Sequence, residues 1–288
     1  MPVDRRTFLK TVSLAAASAA TSLAPQPVAA ALRFVCLTPE PGNYDDHIKD
    51  YLHKMQHFNE HFAEDMVLTG ADMLNLRTTV ARLNRLQRTV GFGNFYILDF
   101  EDGLRIAEHT PAVGAFTKRE IAFLEMIFHE DAARYGFFGG KPLSDITDRI
   151  REQDVVKVPG TGNFLYKGKP HETYRKIISD VGNDVILTSG VRSVMKQFLL
   201  FLNKTLASDG NLSLASRSLA PPGYSYHGIS DFDVGQIGFG TDNFTEKFTT
   251  TEVFWKLENL GYVDLRYPKG NLLGVRFEPW HIKVRQSS

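Results

Sequence analysis

The residues with the clearest chemical meaning lie in two short segments near the carboxyl end of the chain. The first segment holds His227, followed by Asp231 and Asp233, and the second holds Glu278 and His281. A catalytic zinc ion usually takes three protein ligands, imidazole or carboxylate, and leaves a fourth position for water. Two histidines and one aspartate would complete such a set. Glu278 is then the candidate general base for the water, so the pattern indicates metal-assisted hydrolysis.

The elements that must position these segments are short and mixed in type. Residues 185–188 are apolar and partly β-branched, which predicts a strand. Residues 193–206 carry apolar side chains at helical spacing, which predicts a helix. A further helix is expected near 250–260, and strand-like pieces at 262–267 and 274–277.

The preceding half of the chain has a mainly helical pattern. Residues 46–64 and 74–90 predict helices, and residues 95–100 predict a strand or an extended loop. Another helix is expected to begin after Thr117, because Thr117 and Glu120 form the Thr-x-x-Glu pattern of a capping box.

Strands and helices in mixed order, without regular βαβ units, indicate an α+β fold. We expect a small, mostly antiparallel sheet, flanked by helices, to carry the zinc site in residues 151–288. An additional, mainly helical region would occupy residues 31–150. Whether that region is a separate domain stays open at this point.

The first 30 residues differ in composition from the rest. A paired Arg5-Arg6 precedes a mildly apolar run at 11–23, and small residues follow at 28–30. This arrangement resembles a twin-arginine export signal with its cleavage site. The alternative, an anchor helix, is disfavoured because the run is too short and too polar to span a bilayer. We therefore expect residues 1–30 to be removed on export to the periplasm, with no stable membrane insertion afterwards.

The overall charge excludes some classes of partner. Lys plus Arg and Asp plus Glu each number 33, so no excess of basic residues indicates a nucleic-acid or anionic-membrane partner. Hydrophobic residues make up 43% of the chain, as in ordinary globular proteins. The composition leaves the oligomeric state open.

Three blocks of sequence, in a fixed order, resemble a known family. The blocks are Ser189-Gly190-Val191-Arg192-Ser193, then Ser225-Tyr226-His227 with the aspartates after it, and then Glu278-Pro279-Trp280-His281. Together they resemble the VanY-type D-alanyl-D-alanine carboxypeptidases, which are zinc D,D-peptidases. The stretch 266–270 is also similar to the family's sequence before its last block. The resemblance covers roughly residues 180–284.

The resemblance implies a role for each matching residue. His227 and His281 would bind Zn²⁺ together with an aspartate, and Glu278 would activate the water and carry its proton. Arg192 would hold the terminal carboxylate of the substrate or polarise the scissile carbonyl, a task that suits the fixed donors of a guanidinium.

Three further positions are carried over as substrate-binding residues. Ser225 would hydrogen-bond the same end of the substrate as the arginine. Gln197 would contact the substrate or support a residue that does. Trp280 would form a wall of the pocket and fix the direction of its neighbours.

The sequence departs from the family pattern between the first histidine and the aspartate. The interval from His227 to Asp233 is one residue shorter than in the family, and a glycine follows the histidine directly. We favour Asp233 as the ligand, because apolar residues flank it and a glycine follows it, as in the family. Asp231 is the alternative ligand; otherwise it would orient a ligand histidine or contact a substrate amine.

The function implied is removal of the terminal D-alanine from peptidoglycan stem peptides. Two alternatives remain. The same zinc site could cut another wall bond as an endopeptidase, or the chain could be a non-catalytic, zinc-containing wall-binding protein. The presence of Glu278 argues against the second alternative, because a structural zinc site needs no general base.

Overall fold

The computed structural model describes residues 44–284 of the 288-residue chain, all within one unit that spans 43–288. The predicted export signal at 1–30 lies outside the described residues. The helices in the described range are α1 (Tyr44–Gln56), α2 (Gly70–Val90), α3 (Phe100–His109), α4 (Lys118–His129), α5 (Lys169–Val181), α6 (Val194–Ala207), α7 (Leu212–Ser216) and α8 (Glu252–Asn259). The strands are β1 (Val155–Lys157), β2 (Phe164–Tyr166), β3 (Val185–Ser189), β4 (Phe232–Gln236) and β5 (His281–Ile282).

The helices of the first half pack around a large apolar core. Thr117 caps α4, and its side chain and that of Glu120 exchange hydrogen bonds with each other's backbone N–H, as the capping box predicts. Leu83 of α2, Leu124 of α4 and Phe198 of α6 are fully buried in this core. Since α6 belongs to the second half, the core joins both halves. The expected domain boundary at residue 150 stays a prediction.

A three-stranded antiparallel sheet lies in the second half, with β4 in the middle between β3 and β5. Alternate residues of a strand point to opposite faces. Phe232 and Val234 of β4 accordingly pack into a second apolar core with residues of α5 and α8. Asp233 lies opposite His281 of β5 and, across an irregularity in the pairing, opposite Ser189 of β3. The sheet therefore places three polar residues, Ser189, Asp233 and His281, on neighbouring strands. The small antiparallel sheet flanked by helices confirms the predicted α+β fold.

Some of the expected elements are wrong. The segments 262–267 and 274–277 are not strands, and Leu265 makes only an isolated bridge to Ile282. Gly274 has φ 82°, and a Cβ there would overlap the carbonyl oxygen of Gly136, so the chain is bent to fit a close approach. Tertiary contact overrides strand propensity there.

Two more differences lie in the first half. The first helix ends at Gln56 rather than near 64. The segment 95–100 is a short 3₁₀ helix, Asn94–Tyr96, followed by the start of α3. Asp99 caps α3 by accepting a hydrogen bond from the backbone N–H of Asp102, which explains why the aromatic run does not stay extended. Within residues 44–284, no helix is long and apolar enough to cross a membrane.

A buried ion pair ties the chain before α2 to the second half. Arg217, just after α7, donates to both carboxylate oxygens of Asp65 at 2.7 and 2.9 Å, and both side chains are 4% exposed. Burial by itself would raise the pKa of Asp65, but hydrogen bonds from Arg217 and Asn211 lower it below its ordinary value. Asp65 is therefore charged at neutral pH.

Replacing Asp65 by asparagine is expected to destabilise the protein by about 3–5 kcal/mol, because it leaves the Arg217 guanidinium buried without its counter-ion. The free energy of unfolding in urea measures this loss. Asp242→Asn is the matched control, since Asp242 pairs with Lys247 on an exposed surface, where ion pairs contribute about 0–1 kcal/mol. Equal losses for the two variants would contradict the structural role of the buried pair.

Candidate metal centre and active-site pocket

Three buried side chains converge on one point beside the sheet. Nε2 of His227 lies 3.2 Å from Oδ1 of Asp233, and Nδ1 of His281 lies 3.3 Å from the same oxygen. One candidate ligand atom from each residue lies within 4.8 Å of the others. Among the described residues this is the group of histidines and acids that could hold a metal ion.

Hydrogen bonds behind the two imidazoles determine which nitrogen faces the centre. Nδ1 of His227 lies 2.7 Å from the carbonyl oxygen of Gly190. A carbonyl only accepts, so Nδ1 carries the proton and Nε2 has a free lone pair. Nε2 of His281 lies 3.0 Å from the Asp231 carboxylate, so Nδ1 is the nitrogen of His281 that faces the centre.

The centre therefore gathers three acceptor atoms. Nε2 of His227 and Oδ1 of Asp233 are buried and have no hydrogen-bond partner. Lone pairs that face one another repel unless a cation or a proton lies between them. Two imidazole nitrogens and a carboxylate oxygen are also the donor set that zinc accepts. The residues present thus fit a divalent metal ion.

The charges around the centre agree with this interpretation. Burial would raise the pKa of Asp233, but His227 and Arg192 hold that pKa well below its ordinary value. Burial would lower the pKa of His281, but the hydrogen bond to Asp231 and the negative charges of Asp231 and Asp233 raise it to about 9. The Asp233 carboxylate is therefore anionic, which is the form that binds a metal ion.

Asp231 lies behind His281 rather than at the centre. Its Oδ2 accepts from Nε of Arg266 at 2.5 Å and from His281, and its Oδ1 accepts from the backbone N–H of Val284 at 3.0 Å. Both oxygens are taken by neighbouring donors. We therefore propose that Asp233 is the metal ligand and that Asp231 orients the ring of His281.

Gly190 connects the centre to the β1–β2 hairpin. A Cβ at this position would overlap the carbonyl oxygen of Phe164, and the next residue, Val191, donates its N–H to that same oxygen at 2.8 Å. Only glycine allows this approach. The approach in turn sets the Gly190 carbonyl that fixes the tautomer of His227.

Gly190→Ala is expected to destabilise the protein by about 1–3 kcal/mol, because the added methyl group must displace backbone rather than a flexible side chain. It should also weaken metal binding, since the carbonyl that orients His227 moves with it. Thermal unfolding and a metal titration measure the two effects. Gly93→Ala is the matched control, since Gly93 has helical φ and ψ and its Cβ would meet its nearest atom at 3.2 Å. Equal behaviour of the two variants would contradict the requirement for glycine at 190.

A cavity of about 250 Å³ opens beside the centre. It is lined by the three candidate ligands and by every residue that the sequence assigns to catalysis or substrate binding, namely Arg192, Gln197, Ser225, Glu278 and Trp280. The alternative ligand, Asp231, does not line it. The structure thus brings the predicted residues to one pocket, while their individual roles stay predictions.

Glu278 is the carboxylate next to the candidate ligands. Its Oε2 lies 3.6 Å from Nδ1 of His281, and its backbone N–H donates to the carbonyl of Tyr267 at 3.1 Å. Burial raises the pKa of Glu278 to about 7. A carboxylate with such a pKa can both accept and return a proton near neutral pH.

Arg192 is tied to the candidate metal ligand. Its Nη2 lies 2.6 Å from Oδ2 of Asp233, and its Nε donates to Oγ of Ser189 at 2.9 Å. A guanidinium has five N–H donors, so others are free to meet a substrate. Its assignment to the substrate carboxylate or the scissile carbonyl stays a prediction.

The other predicted substrate residues, Gln197, Ser225 and Trp280, differ in their hydrogen bonds within the protein. The amide of Gln197 donates to the carbonyl of Arg192 at 3.0 Å and accepts from the N–H of Gly223 at 2.8 Å, so it clamps two turns that border the pocket. Ser225 is buried at the start of the turn that holds His227. The indole of Trp280 is 3% exposed and forms one wall.

Sequence reasoning missed several pocket residues, and two of them, Arg276 and Ser218, carry unpartnered polar atoms. Arg276 stands two residues before Glu278, and this spacing alone could have placed both on one side of an extended segment. Ser218 lies in a loop outside the matching blocks, so the sequence holds no signal for it.

The α+β fold thus holds a buried His-Asp-His group, a candidate metal site, with the carboxylate of Glu278 beside it. Residues 170–285 match the model of the VanY family, D-alanyl-D-alanine carboxypeptidase. The matched region holds the three sequence blocks and supports the resemblance that they carry, and it covers less than half of the chain.

Three solved structures are similar to part of the chain. The LD-carboxypeptidase LdcB is 21% identical, with 47% of this chain and 69% of that chain covered and a TM-score of 0.39. A variant of the D,D-pentapeptidase VanY from a VanB-type vancomycin resistance cassette, in complex with Zn(II), is 22% identical, with 45% and 77% covered and a TM-score of 0.36. VanYB in complex with D-alanine-D-alanine is 23% identical, with 45% and 76% covered and a TM-score of 0.36. No curated protein matches the chain significantly.

Proposed function

We propose that the protein is a zinc-dependent D-alanyl-D-alanine carboxypeptidase that removes the terminal D-alanine from peptidoglycan stem peptides. The observation that carries this proposal is the convergence of three buried, facing acceptor atoms with the Glu278 carboxylate in one pocket. A structural zinc site needs ligands alone, whereas this arrangement adds an acid–base group beside them.

In this proposal Nε2 of His227, Asp233 and Nδ1 of His281 hold the zinc ion. Three protein ligands leave a fourth position for water, as in catalytic rather than structural sites. When bound, zinc would supply Lewis acidity that makes water a stronger acid and polarises the scissile carbonyl. Asp231 keeps the ring of His281 in the orientation that this requires.

The remaining chemistry belongs to side chains of this chain. Glu278 accepts the proton of the attacking water and returns it to the leaving amine of D-alanine, which its raised pKa of about 7 allows. Arg192 uses Nη2 to hold Asp233 and has further N–H groups for the terminal carboxylate or the carbonyl oxygen. Ser225 donates to the same end of the substrate, and Trp280 excludes water on one side.

The location of the substrate determines where the protein would act. Peptidoglycan lies outside the cytoplasmic membrane, so the proposed activity requires an extracytoplasmic enzyme. The twin-arginine pattern at residues 1–30 supplies a route, and it would deliver the protein to the periplasm already folded.

The test is a product analysis of purified cell-wall peptides. Mass spectrometry should detect free D-alanine and a tetrapeptide stem after incubation with a pentapeptide muropeptide, while cross-linked dimers stay intact. Cleavage of the dimers without release of terminal D-alanine would replace the proposal with an endopeptidase. Retention of the peptides without any cleavage would indicate a wall-binding protein.

A further inference from the structure

A second arginine of the pocket makes no direct ion pair with a described residue, and the charge of Glu278 acts on it only from beyond 4 Å. Arg276 lines the cavity together with Glu278, but among the described residues no carboxylate lies within 4 Å of its guanidinium. Its Nε is buried and has no hydrogen-bond partner. The guanidinium lies 4.9 Å from the ring of Phe58 and 4.9 Å from that of Trp280, so two aromatic faces hold it in place.

Ser218 lies beside this arginine and is equally without a partner. The backbone N–H of Arg276 donates to the carbonyl of Arg217 at 2.9 Å, which places the next residue, Ser218, next to Arg276. Oγ of Ser218 is buried, has no hydrogen-bond partner and lines the same cavity. Two neighbouring donors are therefore open in the pocket.

Such an arrangement is costly unless something binds to it. A charged group that is partly withdrawn from water without a hydrogen-bonded partner destabilises a folded protein. A guanidinium does not escape this penalty by losing its proton, since its ordinary pKa is far above neutral. Its planar fork of donors matches the two oxygens of a carboxylate, and a hydroxyl adds a third donor.

We propose that Arg276 and Ser218 form a second carboxylate-binding subsite, in which Arg276 is a specificity-determining residue for the stem peptide. The inference rests on the proposed function, because it takes that peptide as the ligand. Arg192 already donates to Ser189 and Asp233, whereas Arg276 and Ser218 offer their donors to the cavity. A stem peptide carries a carboxylate at its D-alanine terminus and another on its γ-linked D-glutamate, and both present the same chemistry.

The test measures peptide binding to a Glu278→Ala protein loaded with zinc, so that no ligand is consumed during titration calorimetry. Three pentapeptides are compared: one with both carboxylates free, one amidated at D-glutamate and one amidated at the terminus. Arg276→Gln should weaken binding of the first peptide about 10- to 100-fold, as expected for a lost charge-assisted hydrogen bond. Ser218→Ala should weaken it roughly 3- to 10-fold, as for a neutral bond.

The amidated peptides identify which carboxylate is bound. The peptide that lacks the relevant carboxylate should bind the parent protein weakly, and Arg276→Gln should then cause no further loss. Arg276→Lys keeps the positive charge but loses the paired N–H donors of the guanidinium. Its affinity for the peptide should lie between those of the parent and of Arg276→Gln. If Arg276→Gln does not fold in a thermal melt, Arg276→Lys and Ser218→Ala carry the same comparison.

Lys247→Gln is the matched control, since it removes one positive charge from an exposed residue outside the cavity lining and should bind like the parent. Binding by the Arg276 variants within about twofold of the parent, an equal loss for all three peptides, or no binding to the parent would overturn the inference. If only the proposed function is wrong, the results differ. The Glu278→Ala protein then binds the peptide in a way that depends on Arg276, but the protein with Glu278 intact releases no D-alanine.

Discussion

Replacing Glu278 by glutamine is expected to abolish D-alanine release while leaving the metal site able to bind zinc. Glutamine keeps the size of the side chain but removes the group that accepts a proton. General acid–base groups contribute about 10²- to 10⁴-fold to rate, so kcat should fall by at least the lower figure. Rates of D-alanine release, together with the zinc content of each variant by elemental analysis, measure the effect.

The control for this loss is another glutamate on the same protein. Glu252 is exposed and pairs with Lys256 one helical turn away, so Glu252→Gln should leave kcat unchanged. The role of Glu278 is contradicted if Glu278→Gln retains more than about a tenth of the activity. A loss of less than about tenfold is smaller than the contribution that general acid–base groups make to the rate. A variant that loses zinc along with activity would instead make Glu278 part of the metal site.

Asp233→Asn and Asp231→Asn are expected to differ in their effect on metal affinity. Asp233 offers an unpartnered oxygen to the centre, whereas both oxygens of Asp231 are held by Arg266, His281 and a backbone N–H. Loss of an orienting carboxylate costs roughly 10- to 100-fold in metal affinity. Asp233→Asn should weaken zinc binding by more than about 100-fold, because it removes a ligand rather than an orienting group. Competition with a chromophoric chelator gives both affinities.

The zinc affinities of the two variants can also contradict the assignment of Asp233 as the ligand. If Asp231→Asn loses zinc and Asp233→Asn retains it, Asp231 is the ligand and the assignment must be exchanged. Asp233→Asn also removes the partner of Arg192 at 2.6 Å. Thermal unfolding of the metal-free variants therefore accompanies the titration, so that a loss of stability is not mistaken for a loss of affinity.

The elements that the sequence predicts correctly are those with strong local signals. The capping box at Thr117 and Glu120 marks the start of α4, because each side chain satisfies the other's backbone N–H without help from distant residues. The alternation around Asp233 places apolar neighbours in the core and the carboxylate on the opposite face. The candidate site follows from residue types and spacing in the same way.

The features that the sequence does not predict depend on contacts between distant segments. Asp65 and Arg217 are 152 residues apart, and nothing local indicates that they form a buried pair. The strand β5 has two residues, and its register with Asp233 comes from the fold rather than from its own pattern. The unpartnered Nε of Arg276 likewise depends on which groups the fold places around it, and no local pattern near residue 276 indicates them.

Removal and restoration of zinc tests whether D-alanine release depends on a metal ion bound at the His-Asp-His centre. The purified protein is stripped with a chelator, and D-alanine release from a pentapeptide stem is followed as zinc is added back. We expect no release from the stripped protein and full recovery at one zinc ion per chain, bound by His227, Asp233 and His281. Undiminished release from fully stripped protein would contradict it.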